Sequence, residues 1–250
     1  PHAEAEGRPM SALSIELRKE RRTGIVFVLL AIGVLGALYA CANFLVRGEA
    51  LLGMPLDPMD ILLTQLYGMI VVINMFGVIV AACMIYGMEF RGDAIKKMLV
   101  MPMKMPSMYV SKFLVLAVGL LIAVAMQNGA LALIGASSLP EGAYDPGAVI
   151  AFAGYSLITS MPVLTLMLLV SSRIENMWIP LGIGVAGFLS AMALASVDSP
   201  LVLAHPFVLM LKPAIAMSAQ PDFLAIAVSA AQTVIFLAAG LWLSGRRRYE

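Results

Sequence analysis

The sequence predicts an all-α integral membrane protein with six transmembrane helices. Three observations lead there. The chain of 250 residues is 61% hydrophobic and only 12% charged, and its mean hydropathy is +0.95. A soluble domain is about 45–50% apolar and about 25% charged. Six runs, 23–46, 61–87, 110–136, 148–170, 177–197 and 223–244, each reach the roughly 20 apolar residues that a bilayer crossing needs. Fourteen of the sixteen Lys and Arg residues fall on one side of those runs. Helices follow from the apolar solvent, because in lipid each backbone must satisfy its own hydrogen bonds.

Residues 1–9, "PHAEAEGRP", lack an apolar core and are not a secretory signal. They read as a tag remnant or a disordered tail, leaving 10–250 as one transmembrane domain. In "SALSIELRKERR", Met10, Leu13 and Leu17 share one helical face while charges fill the others. That pattern suits an amphipathic helix lying in the inner interface; a plain basic flank that sets topology is the alternative. Taking Lys112 with the loop at the mouth of the third span, the six runs hold no charge. Glycines 33 and 36 and prolines 162 and 180 are tolerable within them as packing points or kinks. Cys41 and Cys83 lie inside apolar runs and read as small buried hydrophobes. The nineteen methionines have no metal-binding spacing and read as adaptable packing.

The side rich in Lys and Arg holds Arg8, Arg18, Lys19, Arg21, Arg22, the loop with Arg91, Lys96, Lys97, Lys104 and Lys112, then Arg173 and Arg246, Arg247 and Arg248. The other side has Arg47 and Lys212. Positive residues favour the cytoplasm, so both termini and the charged loop are expected inside. The opposite face carries Glu49, Asp57, Asp60, Glu141, Asp145, Asp198 and Asp222, an acidic excess. The segment 197–222 is too apolar for a free loop, yet Pro200, Pro206, Pro213 and Pro221 divide it into pieces too short to span. It reads as short re-entrant or interfacial helices at the outer surface, or as a loop resting on the headgroups.

Catalytic chemistry is not evident. His2 and His205 are the only histidines, and HExxH, GxSxG and P-loop patterns are absent. His205 reads as an interfacial residue rather than a ligand, and no metal or cofactor is expected on this chain. Among the neutral polar residues at depth, Asn74, Gln127, Asn128 and Gln232 either join helices by hydrogen bonds or border a substrate path. Ion-coupled carriers place ionisable groups at depth, which these spans do not. A transport module driven from outside and a non-transporting assembly protein are the other two readings.

Between the second and third runs, "EFRGDAIKKMLVM" sets Ile95, Met98 and Leu99 on one helical face, with Lys96 and Lys97 on the others. Pro102 stops that helix, and Pro106 is expected to delay the next until "SMYVSKF". Such a helix could dock into a groove of a soluble partner, or its lysines could meet anionic lipid.

The loop resembles that of ABC-2-type permeases, with Glu89, Leu99, Pro102 and Lys112 matching in order. Asp93 and Ala94 stand where many members have Gly-Thr. The run "RKERRTG" at 18–24 and Ala94, Ile95, Lys97 and Met98 before the proline are similar to the permeases of lantibiotic-immunity ABC transporters. The resemblance covers 10–250. It implies a bacterial cytoplasmic-membrane exporter subunit that pairs with a second permease, identical or related, and with two ATPase subunits. ATP and Mg would belong to those subunits. Glu89, Arg91, Asp93, Ile95, Lys96, Lys97, Met98, Leu99 and Pro102 would form the coupling helix. The cargo implied is a cationic lantibiotic-like peptide taken from membrane lipid, and no nucleic acid.

Overall fold

The computed structural model describes residues 24–90, 105–197 and 199–245. The coupling segment from Arg91 to Pro102, the basic flank before Gly24 and Asp198 lie outside them. The backbone of Glu89 is helical and its side chain is outside the described set. Among the described residues every regular element is helical.

Helix α1, Ile25–Leu52, opens at Gly24, whose φ of 80° suits a residue without a Cβ. Its 28 residues extend well past the expected 46 and carry Arg47 and Glu49, both exposed. At about 1.5 Å per residue it is about 42 Å long, more than the roughly 30 Å hydrocarbon core. Cys41 is exposed on this helix, contrary to the buried position expected, whereas Cys83 is buried.

A short turn, Pro58–Asp60, follows, capped by Asp57, whose Oδ1 accepts the Met59 N–H at 2.8 Å. A π-helical turn at Ile61–Gln65 then leads into α2, Tyr67–Phe90. Helix α3, Met105–Ser138, begins five residues before the expected boundary. Pro106 sits in its first turn, where the missing N–H has no intrahelical carbonyl to lose, so it starts the helix rather than delaying it. Lys112 is therefore two turns inside α3.

Helix α4, Pro146–Ser171, is capped by Asp145 through Gly147 N–H at 2.8 Å and contains Pro162. Helix α5, Trp178–Leu194, has 17 residues. A 3-10 turn, Pro200–Ala204, and helix α6, Pro206–Ile215, precede α7, Phe223–Gly245. Asp222 Oδ1 caps α7 by accepting from Leu224 and Ala225.

Among the described residues, five helical segments are long and apolar enough to cross a membrane: Ile25–Leu52, Pro58–Met88, Pro106–Ser138, Pro146–Ser171 and Phe223–Gly245. The run expected at 177–197 is the shorter helix α5, about 25 Å long.

Helix α1 packs on α2 and α3, and α4 packs on α2, α3 and α7. The core runs through Tyr67, Ile79, Leu120, Phe152 and Met167, with the Tyr67 and Phe152 rings edge to face at 5.1 Å. Helix α6 rests against α4, α2 and α5. Its residues Phe207 to Leu211 are buried, so the apolar character of this segment is satisfied by the bundle. Leu201, Ile215 and Met217 of the same segment remain exposed.

Candidate functional site

The four polar residues singled out at depth do not share one site. Asn74 on α2 and Gln127 on α3 form a reciprocal amide pair. Asn74 Nδ2 donates to Gln127 Oε1 at 2.9 Å, and Gln127 Nε2 donates to Asn74 Oδ1 at 2.7 Å. Both side chains are fully buried. The second Gln127 Nε2 proton goes to the Ile32 carbonyl of α1 at 3.1 Å. This is possible because position 36 is glycine; a Cβ there would lie 2.5 Å from Gln127 Nε2. One side chain thereby joins three helices. In hydrocarbon such interhelical bonds are worth about 0.6–2 kcal/mol each.

The Tyr67 hydroxyl lies near Asn74 and Ser156. Neither it nor the Ser156 hydroxyl reaches a partner in hydrogen-bonding geometry. The Tyr67 hydroxyl thus lies beside the amide pair, with the buried Ser156 hydroxyl next to it.

Asn128 is a neighbour of Gln127 in sequence and points elsewhere, since adjacent helical residues do not face the same way. Its Nδ2 donates to Val124 O of its own helix at 2.9 Å. Gln232 on α7 donates through Nε2 to Leu203 O and Ala204 O, both at 3.0 Å. It caps the carbonyl end of the 3-10 turn and fastens it to α7. His205 follows that turn, with Nε2 3.0 Å from Ser190 Oγ on α5. The Ser190 hydroxyl also bonds Gly187 O at 2.9 Å.

The same end of the bundle holds a depression of about 450 Å³, lined by Asp57, Asp60, Asp145, Gly142, Ala148 and Gln220 among others. Its three carboxylates also organise backbone. Asp57 and Asp145 cap helices, and Asp60 Oδ1 accepts the Ala219 N–H at 2.6 Å. Each of these carboxylates has a second oxygen beyond the one so engaged.

At the opposite end Lys112 is 1% exposed. Its ammonium lies 5.3 Å from the centroid of the Tyr86 ring on α2, a cation–π distance. The expectation that the long apolar helices are free of charge is thereby corrected: one of them carries a buried lysine. Sequence reading missed this because it assigned Lys112 to the loop. The signal was Pro106, which starts a helix as readily as it delays one. Tyr109, one turn earlier, packs its ring against Gly240 of α7; a Cβ there would lie 2.2 Å from the ring.

Five long apolar helices packed into one bundle, with a polar link inside it and an acidic depression at one end, are the layout of a polytopic membrane protein. Residues 12–191 match the family model described as ABC-2 family transporter protein, and the chain belongs to that family. The match includes the segment 91–104. Members of this family are membrane transport subunits that work with ABC ATPase partners. No curated protein and no solved structure matches the chain.

Proposed function

We propose that this chain is the permease subunit of an ATP-driven exporter that clears lantibiotic-type cationic peptides from the bacterial cytoplasmic membrane. The acidic depression carries the cargo part of this reading. Asp57, Asp60 and Asp145 converge on one 450 Å³ space, at the end of the bundle that the positive-inside rule assigns to the exterior. Carboxylates in such a concavity attract a cationic peptide and lose that attraction in salt.

The same reading takes α5 as a sixth span, short enough to need local thinning of the bilayer, and so keeps both termini in the cytoplasm. The segment Glu89 to Pro102 then acts as the coupling helix, with Ile95, Met98 and Leu99 docking on an ATPase subunit. Two such subunits carry ATP and Mg, and a second permease, identical or related, completes the pathway. Asn74 and Gln127, with the hydroxyls of Tyr67 and Ser156, border that pathway.

The test is expression with the ATPase and permease partners in a lantibiotic-sensitive host. Protection should appear only with an ATPase competent in hydrolysis. The variant Asp57→Asn, Asp60→Asn, Asp145→Asn should lose much of it, because Asn retains capping ability and removes charge. An assembled complex that protects against no lantibiotic in a panel overturns the cargo assignment.

A further inference from the structure

The turn Ile61–Gln65 is π-helical, and it falls between two anchors. On its outer side the strip 57–60 is held across the bundle by Asp60 Oδ1, which accepts the Ala219 N–H at 2.6 Å. On its inner side the Tyr67 ring packs edge to face on Phe152, and Asn74 pairs with Gln127. A π-turn carries its backbone bonds five residues along instead of four. It therefore holds one residue more than the α-helix it interrupts, and the two anchors stand one residue out of α register. We propose that this turn is a two-position joint, which on closing into α geometry swings Asp57 and Asp60 out of the acidic depression.

The surroundings of the turn allow both positions and favour the one seen. Ile61 and Leu62 share an apolar niche with Phe44 and Leu51 of α1 and with Leu139. Apolar packing of that kind has no direction and sets no register. Two contacts favour the wide form. Leu62 leans on α3 at Gly135, where a Cβ would lie 2.8 Å from Leu62 Cδ2. Thr64 Oγ1 donates to the Asp60 carbonyl at 2.6 Å. The hydroxyl thus takes a place at the carbonyl that a plain α-helix gives to the Thr64 N–H.

The size of the movement follows from helix geometry. Retaining every residue while the turn closes rotates the strip by about 100° relative to α2. At a side-chain radius of 5–6 Å, that sweeps a carboxylate through about 8 Å. The Asp60 bond to Ala219 cannot survive such a sweep. The depression is lined by carboxylates from Asp57, Asp60 and Asp145. Two of them ride on the strip, and Asp145 stays at the start of α4. One position of the joint assembles the acidic site and the other dismantles it. Its use in taking up and releasing cationic cargo rests on the function proposed above; the movement itself does not.

The experiment places the full chain in nanodiscs, with spin labels at Leu56→Cys and Leu133→Cys in a Cys41→Ser, Cys83→Ser background. Both labelled positions are exposed. Leu56 adjoins the strip, and Leu133 lies on α3, which Gln127 ties to α2. Double electron–electron resonance should resolve a main distance and a minor one in the wild-type turn, differing by about 5 Å or more. Deleting Leu63 removes the extra residue and leaves an α-helix with the strip where it is seen. It should keep the main distance and lose the minor one. Thr64→Val removes the hydroxyl bond and should raise the minor-to-main ratio about fivefold. A minor distance absent from both the wild-type turn and Thr64→Val overturns the proposal. So does a minor distance that persists after the deletion, or a deletion that loses the main one. Neither cargo nor ATPase is present, so a fixed strip leaves the cargo assignment standing, and failure of that assignment leaves the joint standing.

Discussion

The first three helices and α4 solve the problem of polar groups in lipid in opposite ways. Between α1, α2 and α3, the amides of Asn74 and Gln127 bond across helices and reach the Ile32 carbonyl. In α4, the hydroxyls of Thr159, Ser160 and Thr165 bond carbonyls of their own helix. Pro162 lies inside that helix and has no N–H to give to its ladder. The amide links fix three helices in register, whereas these back-bonded hydroxyls satisfy themselves, and α4 reaches α2 through the weaker bond from Ser171 Oγ to Cys83 Sγ at 3.8 Å. The contrast has a mechanical consequence. Segment 91–104 joins α2 directly to α3, the two helices that the amide pair holds together. Under the proposed coupling, force applied to that segment reaches α1, α2 and α3 as one unit.

The largest expected effect comes from breaking the link at its closest approach. Gly36→Val puts a branched side chain where a Cβ alone would lie 2.5 Å from Gln127 Nε2. Overpacking and an orphaned amide should together cost about 3 kcal/mol of unfolding free energy in mixed detergent micelles. Gln232→Leu tests a tie at the periphery. It removes the donor for Leu203 O and Ala204 O and should cost about 1 kcal/mol, with proteolysis near the 3-10 turn rising in parallel. Thr159→Val should change stability by no more than about 0.5 kcal/mol, because its hydroxyl serves only its own helix. A large loss there would mean that α4 is tied to its neighbours as firmly as α3 is.

The smallest effect is a pH dependence at His205. Burial lowers its pKa from the ordinary 6.5. The unfolded chain therefore binds this proton more readily than the folded one, and acidification through and below that range should destabilise the fold. His205→Gln should flatten the change in melting temperature between pH 7.5 and pH 5, and an equal slope in both proteins would remove His205 as its source.

Much of this molecule is legible from hydropathy. The apolar runs locate every long helix, because bilayer length and backbone satisfaction leave few alternatives. Their ends are less legible. Asp57-Pro58 and Asp145-Pro146 are cap-and-first-turn pairs whose signature is local, yet the apolar count alone places the starts later. Helix α1 continues through Arg47 and Glu49 because a helix need not end where hydrocarbon does. Helix α6 is apolar because the bundle buries it, and composition cannot separate that cause from contact with headgroups. For the candidate site, residue type marks Asn74 and Gln127 as unusual in lipid, but their pairing joins positions 53 apart in sequence. The adjacency of Gln127 and Asn128 was the available clue that both could not line one path.

The central claim is that Asn74 and Gln127 act as one link between helices, and a double-mutant cycle tests it most directly. Asn74→Leu and Gln127→Leu each leave a buried amide without its partner, and each should cost about 1–3 kcal/mol. The double variant removes both amides, so its cost should fall short of the sum by about 1 kcal/mol or more. Additive costs within about 0.3–0.5 kcal/mol would show two independent side chains and contradict the account.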